Sequence, residues 1–262
     1  MTVSSKDNRL IKEWRSLCRE AKERRNRGLF AIEGARLCGD ALTSGIKPQT
    51  LLYTSEARQS YPVVERLIAA AAEVAEITPE LARYMSDTQT PQGVFCTLQA
   101  LDNRLSFDKI IPTGRYAVLE DIRDPGNLGT VIRTAEAFGL EGIILSAGCC
   151  DIYNPKVLRG SMGGVFRLPL LITEDLPGTL ETLQERGMCA YACVVDTDAR
   201  PVHTVGLGSG ALCVIGNEGN GLTDEAVAAC AHRVTIQMTG RAESLNASMA
   251  AGIVMWEMTR PR

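Results

Sequence analysis

The sequence predicts an α/β protein with two domains. Short apolar segments alternate with segments of helical periodicity along most of the 262 residues. In the second half, CAYACVV (189–195) and ALCVIG (211–216) are apolar almost without interruption, as expected of parallel strands that helices cover on both faces. A polar segment separates the two regions of alternation. We therefore expect a domain at 1–100, a linker at 101–113 and a domain at 114–262.

The first domain should begin with a helix over residues 8–27, because Leu10, Trp14 and Leu17 recur at helical spacing and Gly28 can end the helix. Four short apolar segments are then predicted as strands, at 29–32, 51–54, 74–77 and 94–98. Helices are predicted between them, after Glu33-Gly34, from Pro62 to about Ala72, and from Pro79. This alternation predicts a small α/β domain.

The second domain should contain the parallel sheet. Its strands are predicted from apolar segments at 116–121, 142–146, 189–195, 211–216 and 233–238. Its helices are predicted from the DPGN turn to Phe138, over 156–163 and over 245–258.

Charge is distributed unevenly along the chain. The net charge is −3, but residues 1–27 contain nine basic and four acidic side chains, a net +5. A run of this kind is most often a solvated helix face, and it is also suited to contacts with RNA phosphates. No apolar segment approaches the ~20 residues that span a bilayer, and the N-terminus lacks the apolar core of a signal peptide.

Cysteine usage indicates reduced thiols. The nine cysteines are an odd number, and their spacings do not match a zinc site, for which only two histidines are available. We therefore expect mostly buried thiols, no metal and a cytosolic location.

Three blocks in the second half could carry chemistry. The first, Asn127–Ala135 (NLGTVIRTA), follows directly on the turn Asp124–Asn127 (DPGN) and forms a helix that bears Arg133. A turn after a buried strand can present backbone amides to a ligand at the carboxyl edge of a sheet. On its own, however, the block is better explained as a plain connection with Arg133 in a surface ion pair.

The second block, GNEGNG (216–221), follows an apolar strand and has Glu218 at its centre. Its spacing matches neither the dinucleotide fingerprint nor the P-loop, so it is a loop that could hold a nucleoside or simply a tight turn. The third block, Ser244–Ser248 (SLNAS), precedes the last helix, and its polar side chains could cap that helix and do nothing more.

Together, in this order and at these separations, the blocks resemble the three signature motifs of the SpoU (TrmH-like) RNA ribose 2'-O-methyltransferases of the SPOUT superfamily. DPGNLGTVIRTAEAFG (124–139) resembles the first motif over its full length, and the segment 151–169 resembles the one that follows it. Segments 25–42 and 90–95 resemble the family's N-terminal substrate-binding domain. The resemblance covers nearly the whole chain except the linker and residues 170–205. Ala247, where valine is commoner, and the charged Arg241–Glu243 depart from the family pattern.

The resemblance implies a fold and a set of partners. It implies an N-terminal α/β domain similar to ribosomal protein L30e, followed by a SPOUT domain with a parallel sheet flanked by helices and a C-terminal trefoil knot. It implies S-adenosyl-L-methionine as the cofactor and structured RNA as the substrate, with 23S rRNA favoured over tRNA. It also implies a homodimer through the C-terminal domain, for which the apolar helix segment AGIVMWEM (251–258) offers a surface.

The resemblance also assigns residues. Those implied at the reaction centre are Arg133, Asn127, Glu218, Ser244 and Asn246. Those implied to bind the cofactor are Gly216, Asn217, Gly219, Ile236, Met238, Leu245 and Asn246. The cations expected to bind RNA are Lys12, Arg15, Arg24, Arg25, Arg36 and Arg159.

Roles follow from the chemistry of these side chains. A guanidinium with a pKa above ~12 is rarely neutral, so we expect Arg133 to hold a phosphate and stabilise a developing alkoxide rather than act as a base. Asn127 would orient Arg133 or the ribose. Glu218 would pair with Arg133 or accept a proton through water.

Other functions remain open at this point. The scaffold could belong to a tRNA methyltransferase, or to a non-catalytic factor that binds RNA or assists ribosome assembly. A non-catalytic factor would be expected to have lost the polar motif residues, and all of them are present. A Rossmann-like methyltransferase or dehydrogenase is disfavoured because the glycine-rich loop comes late in the chain. Methylation of a base or a protein is not excluded by the residues alone.

Overall fold

The computed structural model describes residues 2–101 and 105–260. Residues 102–104 of the predicted linker lie outside this range. The chain forms two compact units. The first contains the residues up to Leu101 together with Tyr153–Phe166. The second contains the residues from the linker to Ile152, together with those from Arg167 onward. The segment 153–166 therefore belongs with the N-terminal unit.

The elements of the first half are β1 (Thr2–Val3), α1 (Arg9–Arg19), α2 (Ala21–Arg27), β2 (Leu29–Glu33), α3 (Ala35–Thr43), β3 (Thr50–Tyr53), α4 (Ser55–Ser60), α5 (Val63–Ala70), β4 (Glu73–Ile77), α6 (Pro79–Met85) and β5 (Val94–Gln99). Those of the second half are β6 (Tyr116–Leu119), α7 (Pro125–Ala137), β7 (Gly142–Ser146), α8 (Pro155–Gly160), α9 (Gly164–Arg167), β8 (Leu170–Thr173), α10 (Leu176–Glu185), β9 (Cys189–Cys193), β10 (Arg200–Pro201), β11 (Ala211–Ile215), α11 (Asp224–Ala228), β12 (His232–Thr235) and α12 (Ala247–Thr259). Short 3-10 turns lie at Phe107–Lys109 and Val202–Thr204.

The first unit is built on a five-stranded sheet in the order β1-β4-β3-β5-β2. β5 runs antiparallel to both of its neighbours, while β1, β4 and β3 are mutually parallel. Consequently β2, β3 and β4 end at the same edge of the sheet. Leu10, Ile11, Trp14 and Leu17 of α1 pack on this sheet, as their helical spacing predicts.

The single helix predicted over residues 8–27 is wrong. Glu20 adopts an extended conformation (φ −118°, ψ 109°) and separates α1 from α2. Arg24 is buried, and its Nη1 donates to the carbonyl oxygens of Leu17 (2.6 Å) and Cys18 (3.2 Å). This guanidinium satisfies carbonyl groups that the end of α1 leaves free, so the break is compensated.

The second unit is built on a seven-stranded sheet in the order β10-β12-β9-β11-β6-β7-β8. Every pair in it is parallel, which confirms the predicted parallel sheet. The strands β6 and β11 are buried along their whole length, because helices cover both faces. Residues of β6, β11 and α10, among them Val118, Val214 and Leu180, form the core.

Two further features differ from the sequence prediction. The helix predicted over 156–163 is two short helices, α8 and α9, separated by Met162 in the left-handed conformation (φ 50°). The strand predicted over 233–238 ends at Thr235, so Ile236–Met238 is irregular.

In the described part of the chain, no helix is long and apolar enough to cross a membrane.

Candidate active site at the carboxyl edge of the parallel sheet

The order of the strands defines where a ligand can enter the second unit. From β6 the chain proceeds to β7 and β8 on one side, and β11 lies on the other side of β6. The segments that follow β6 and β11 therefore diverge at their carboxyl ends, and such a switch point is where open α/β sheets bind ligands. The first two motifs follow these two strands.

Hydrogen bonds join the end of β6 to Thr223, which follows the second motif. Glu120 is only 7% exposed, and its carboxylate accepts hydrogen bonds from the N–H (2.9 Å) and the hydroxyl (2.7 Å) of Thr223. The next residue, Asp121, is left-handed (φ 52°), and its carbonyl accepts from Nδ2 of Asn217 (2.7 Å). These contacts fix the second-motif loop relative to β6.

The loop itself closes on its own backbone. Asn217 and Gly221 exchange two backbone hydrogen bonds (2.9 and 3.0 Å), while Oδ1 of Asn217 accepts from the N–H groups of Gly219 and Asn220. A Cβ on Gly216 would lie 2.2 Å from the carbonyl carbon of Gly221. Gly216 is therefore required for the turn, because only glycine allows so close an approach.

One chain of hydrogen bonds joins the three motifs. Nδ2 of Asn127 donates to Oε1 of Glu218 (2.9 Å), and Nδ2 of Asn246 donates to Oδ1 of Asn127 (2.9 Å). Asn127 is only 9% exposed, and its backbone N–H is held by the N-cap residue Asp124. The Asn246 side chain also caps α12, accepting from the N–H groups of Ser248 and Met249. Asn127 lies 91 positions from Glu218 and 119 positions from Asn246 in the sequence, and the three side chains form one polar cluster.

Glu218 is the acceptor at the end of this chain. Besides Asn127, the N–H groups of Arg123 (3.3 Å) and Asp124 (3.2 Å) donate to its carboxylate. Burial raises the pKa of Glu218, but these three hydrogen bonds favour the ionised form and bring its pKa below the ordinary value. Glu218 is therefore a stable anion at neutral pH and a weak proton acceptor.

A crevice opens beside the cluster, at the carboxyl ends of β9 and β12. It has a volume of about 80 Å³. Four residues that the sequence placed in the site line it: Ile236, Met238, Ser244 and Leu245. The walls are mainly apolar side chains and backbone, with few polar groups, which suits an adenosine moiety with a short polar extension.

The sequence prediction missed most of the residues that line this crevice. They come from the end of β9 and the segment beyond, from β12 and from α12: Cys193, Val194, Val195, Val202, Val234, Thr235, Ala250 and Val254. Residues 194–195 directly follow an apolar strand, and the ends of buried parallel strands were the available signal. Gly216, Asn217, Gly219 and Asn246 form the adjoining loop and polar cluster rather than the crevice wall.

Arg133 stands apart from these groups. It is exposed on α7 and has no hydrogen-bond or ion-pair partner within the described residues. Asn127 lies six positions earlier on the same helix, which places the two side chains about 120° apart around the axis. The carboxylate of Glu218 is used by Asn127 and by backbone groups, so the expected pairing of Glu218 with Arg133 is absent from this protomer.

The cations expected to bind RNA lie in the first unit and differ in their availability. Lys12 pairs with Asp7 (2.8 Å), and the Arg15 guanidinium lies over the Tyr84 ring (3.8 Å to its centre). Arg25 and Arg36 are exposed, with no partner among the residues that the structure describes. Arg159 is half-buried beside Glu33, and Arg24 is buried against the end of α1, so the Arg24 guanidinium is already used for structure.

Comparison with known proteins agrees with this geometry. The sequence pattern described as the SpoU rRNA Methylase family matches residues 114–256, and that of the MRM3-like substrate binding domain matches residues 8–96. The chain belongs to the SpoU rRNA methylase family. Membership confirms the expected class, a methyltransferase that acts on RNA ribose and uses S-adenosylmethionine.

Individual relatives cover nearly the whole chain. The 23S rRNA (guanosine(2553)-2'-O)-methyltransferase RlmP of Bacillus subtilis is 28% identical over 98% of both chains. An uncharacterised tRNA/rRNA methyltransferase of Synechocystis is 33% identical over 99% of this chain and 93% of its own. The crystal structure of an rRNA methyltransferase from Sinorhizobium meliloti with bound AdoMet superimposes with a TM-score of 0.87 at 30% identity, covering 98% of this chain and 96% of that one.

Proposed function

We propose that this protein methylates a ribose 2'-hydroxyl of 23S rRNA, with S-adenosylmethionine held in the crevice of the second unit. The observation that carries the proposal is the Glu218–Asn127–Asn246 chain of hydrogen bonds, which joins three separate motifs beside a mainly apolar crevice. The relatives named as 23S rRNA 2'-O-methyltransferases support the choice of substrate.

The cofactor would lie against backbone and apolar side chains. Ile236, Met238 and Leu245 would bracket its adenosine, and Ser244 at the crevice wall would bind its polar methionine end. When bound, S-adenosylmethionine supplies a methyl group already activated by a sulfonium. The remaining tasks of the chain are to align the ribose, exclude water and stabilise the oxygen as its proton leaves.

We assign these tasks to the polar cluster and to Arg133. Asn127 is held at both ends of its amide and is buried, so it forms a rigid wall of the site. Because three N–H groups already donate to the carboxylate of Glu218 and its pKa is lowered, we assign Glu218 a positioning role rather than proton transfer. The free guanidinium of Arg133 is suited to bind the phosphate next to the target ribose and to stabilise the developing alkoxide.

Homodimerisation through α12 is part of the proposal. Met249, Ile253 and Trp256 recur at helical spacing and are 62%, 36% and 51% exposed, forming one apolar stripe. The opposite side of α12 packs on α7 and β11. A stripe of large exposed apolar side chains is typical of an interface between protein chains.

The first unit would bind the rRNA, as the match to a substrate binding domain supports. Arg25 and Arg36 are the expected cations best placed for phosphate contacts, since their guanidinium groups are free in the described structure. Nine free thiols support a reducing, cytoplasmic location. The trefoil knot that the resemblance implies stays a prediction.

Mass-spectrometric mapping of 2'-O-methyl groups in rRNA and tRNA, with and without the gene, tests the proposal. We expect the loss of one ribose methylation in 23S rRNA and its return when the wild-type gene is restored. Loss in tRNA instead would assign the substrate to tRNA, and unchanged maps of both RNA pools would refute the enzymatic function.

A further inference from the structure

The first unit contains a polar pocket whose lining residues have been given no role above. It has a volume of about 280 Å³ and lies at the edge of the five-stranded sheet where β3 and β4 end and β5 begins. Its walls include Tyr61, Arg83, Gln89, Thr90 and Gln92. We propose that this pocket binds one unpaired base of the RNA substrate, away from the methylated ribose; the inference rests on the proposed function.

Hydrogen bonds and close packing fix the shape of this pocket. Oε1 of Gln92 accepts from the backbone N–H of Ala35 (2.8 Å), which fixes the direction of the side-chain amide. Gly93 is left-handed (φ 70°), and a Cβ there would lie 2.4 Å from Oγ1 of Thr54. Thr54 is buried and caps α4 through the N–H of Ala57 (3.1 Å), so the wall of the pocket is closely packed.

The unused polar groups of the pocket match the edge of a nucleobase. Nε2 of Gln92, the amide of Gln89 and the hydroxyls of Thr90 and Tyr61 have no hydrogen-bond partner within the described residues. Side-chain amides present a donor and an acceptor side by side, as base edges do, and the Tyr61 ring offers a surface for stacking.

The charge of the pocket favours a base over a phosphate. Its charged lining groups are Glu56 and Arg83, one of each sign, and Arg83 is already paired with Glu80 (3.3 Å). A site built for phosphate would present free cations. The free cation Arg36 is next to Ala35, the residue that Gln92 contacts, so a phosphate can be bound beside the pocket while the base enters it.

The test compares Gln89→Ala and Tyr61→Leu with the matched control Gln59→Ala. Gln59 and Gln89 are both exposed and unpaired within the described chain, but Gln59 does not line the pocket. The substrate is 23S rRNA purified from cells that lack the gene, and the readouts are KM for rRNA, kcat, the Kd for S-adenosylmethionine and Tm. We expect Gln89→Ala and Tyr61→Leu to raise KM for rRNA roughly five- to tenfold, the size of a lost stacking or base contact, with kcat and cofactor affinity unchanged. The Gln59→Ala variant should match the wild type.

A direct measurement accompanies the kinetics. The same rRNA, fragmented and substituted with 4-thiouridine, is cross-linked to the wild-type protein, and the attached peptide is sequenced. We expect a cross-link to the peptide that contains residues 89–93. If the wild type methylates rRNA but the three variants share one KM and no cross-link maps to the pocket, this inference alone is overturned. A wild type that leaves rRNA unmethylated overturns the proposed function and this inference with it.

Discussion

The carboxyl edges of the two sheets differ in how their polar groups are used. In the second unit, the amide of Asn127 and the carboxylates of Glu218 and Glu120 are bound by other groups of the chain. In the first unit, the amide of Gln89 and the guanidinium of Arg36 have no partner among the described residues. The first arrangement is preorganised, which a reaction centre requires. The second leaves donors free, which binding of a polar polymer requires.

Arg133 is the exception in the second unit, because its guanidinium is free. If it stabilises charge that develops on the ribose oxygen, Arg133→Ala should lower kcat by roughly 10²–10³. The Kd for S-adenosylmethionine should stay within about twofold, since Arg133 does not line the crevice. Calorimetry measures the Kd, and steady-state methyl transfer to rRNA measures kcat. Lost cofactor affinity would reassign Arg133 to cofactor binding, and Arg133→Lys should recover only part of the rate, because Lys cannot make a bidentate contact.

The chain of amides can be broken without removing a helix cap. Asn246→Asp keeps the acceptor that caps α12 but cannot donate to Oδ1 of Asn127. Since Glu218 requires the Nδ2 group of Asn127, that amide cannot turn to compensate. We expect kcat to fall by about 10²-fold, as for small misplacements of catalytic groups, with a Tm close to that of the wild type. Full activity in this variant would show that the chain of hydrogen bonds has no part in catalysis.

Close packing of the second-motif loop predicts a stability effect. Gly216→Ala places a methyl group against the backbone of Gly221 and should destabilise the protein by about 1–3 kcal/mol. Gly208→Ala is the control, because a Cβ at Gly208 meets no atom within 4 Å. Urea unfolding of both variants measures the difference. Equal free energies of unfolding would mean that the loop can relax around the added group.

The smallest expected effect concerns pH. The pKa of Glu218 is lowered in the folded protein, so its ionisation stabilises the fold above the ordinary glutamate pKa of about 4.3 and this contribution is lost as the pH falls through the lowered value. The difference in Tm between the wild type and Glu218→Gln should therefore be constant from about pH 6 to pH 8 and shrink at acid pH. A difference that grows on acidification would mean that the pKa of Glu218 is raised.

Sequence reasoning recovered those features that depend on local pattern. The buried strands β6, β9 and β11 were predicted because burial on both faces leaves an uninterrupted apolar run. The strand β8 and the helix α10 lie in residues 170–205, which carry no motif, and were not predicted. The break at Glu20 depends on Arg24 folding back on α1, a contact that helical periodicity does not encode. Val194, Val195 and Val202 enter the site only because the strand order brings β9 next to β12.

The central claim is that the crevice beside Asn127 holds the methyl donor. A crystal structure of the protein with S-adenosylmethionine tests it most directly. We predict adenosine density between Ile236–Met238 and Leu245, with the sulfonium directed toward the Glu218–Asn127–Asn246 chain. Density elsewhere on the protein, with the crevice empty at saturating ligand, would contradict the account.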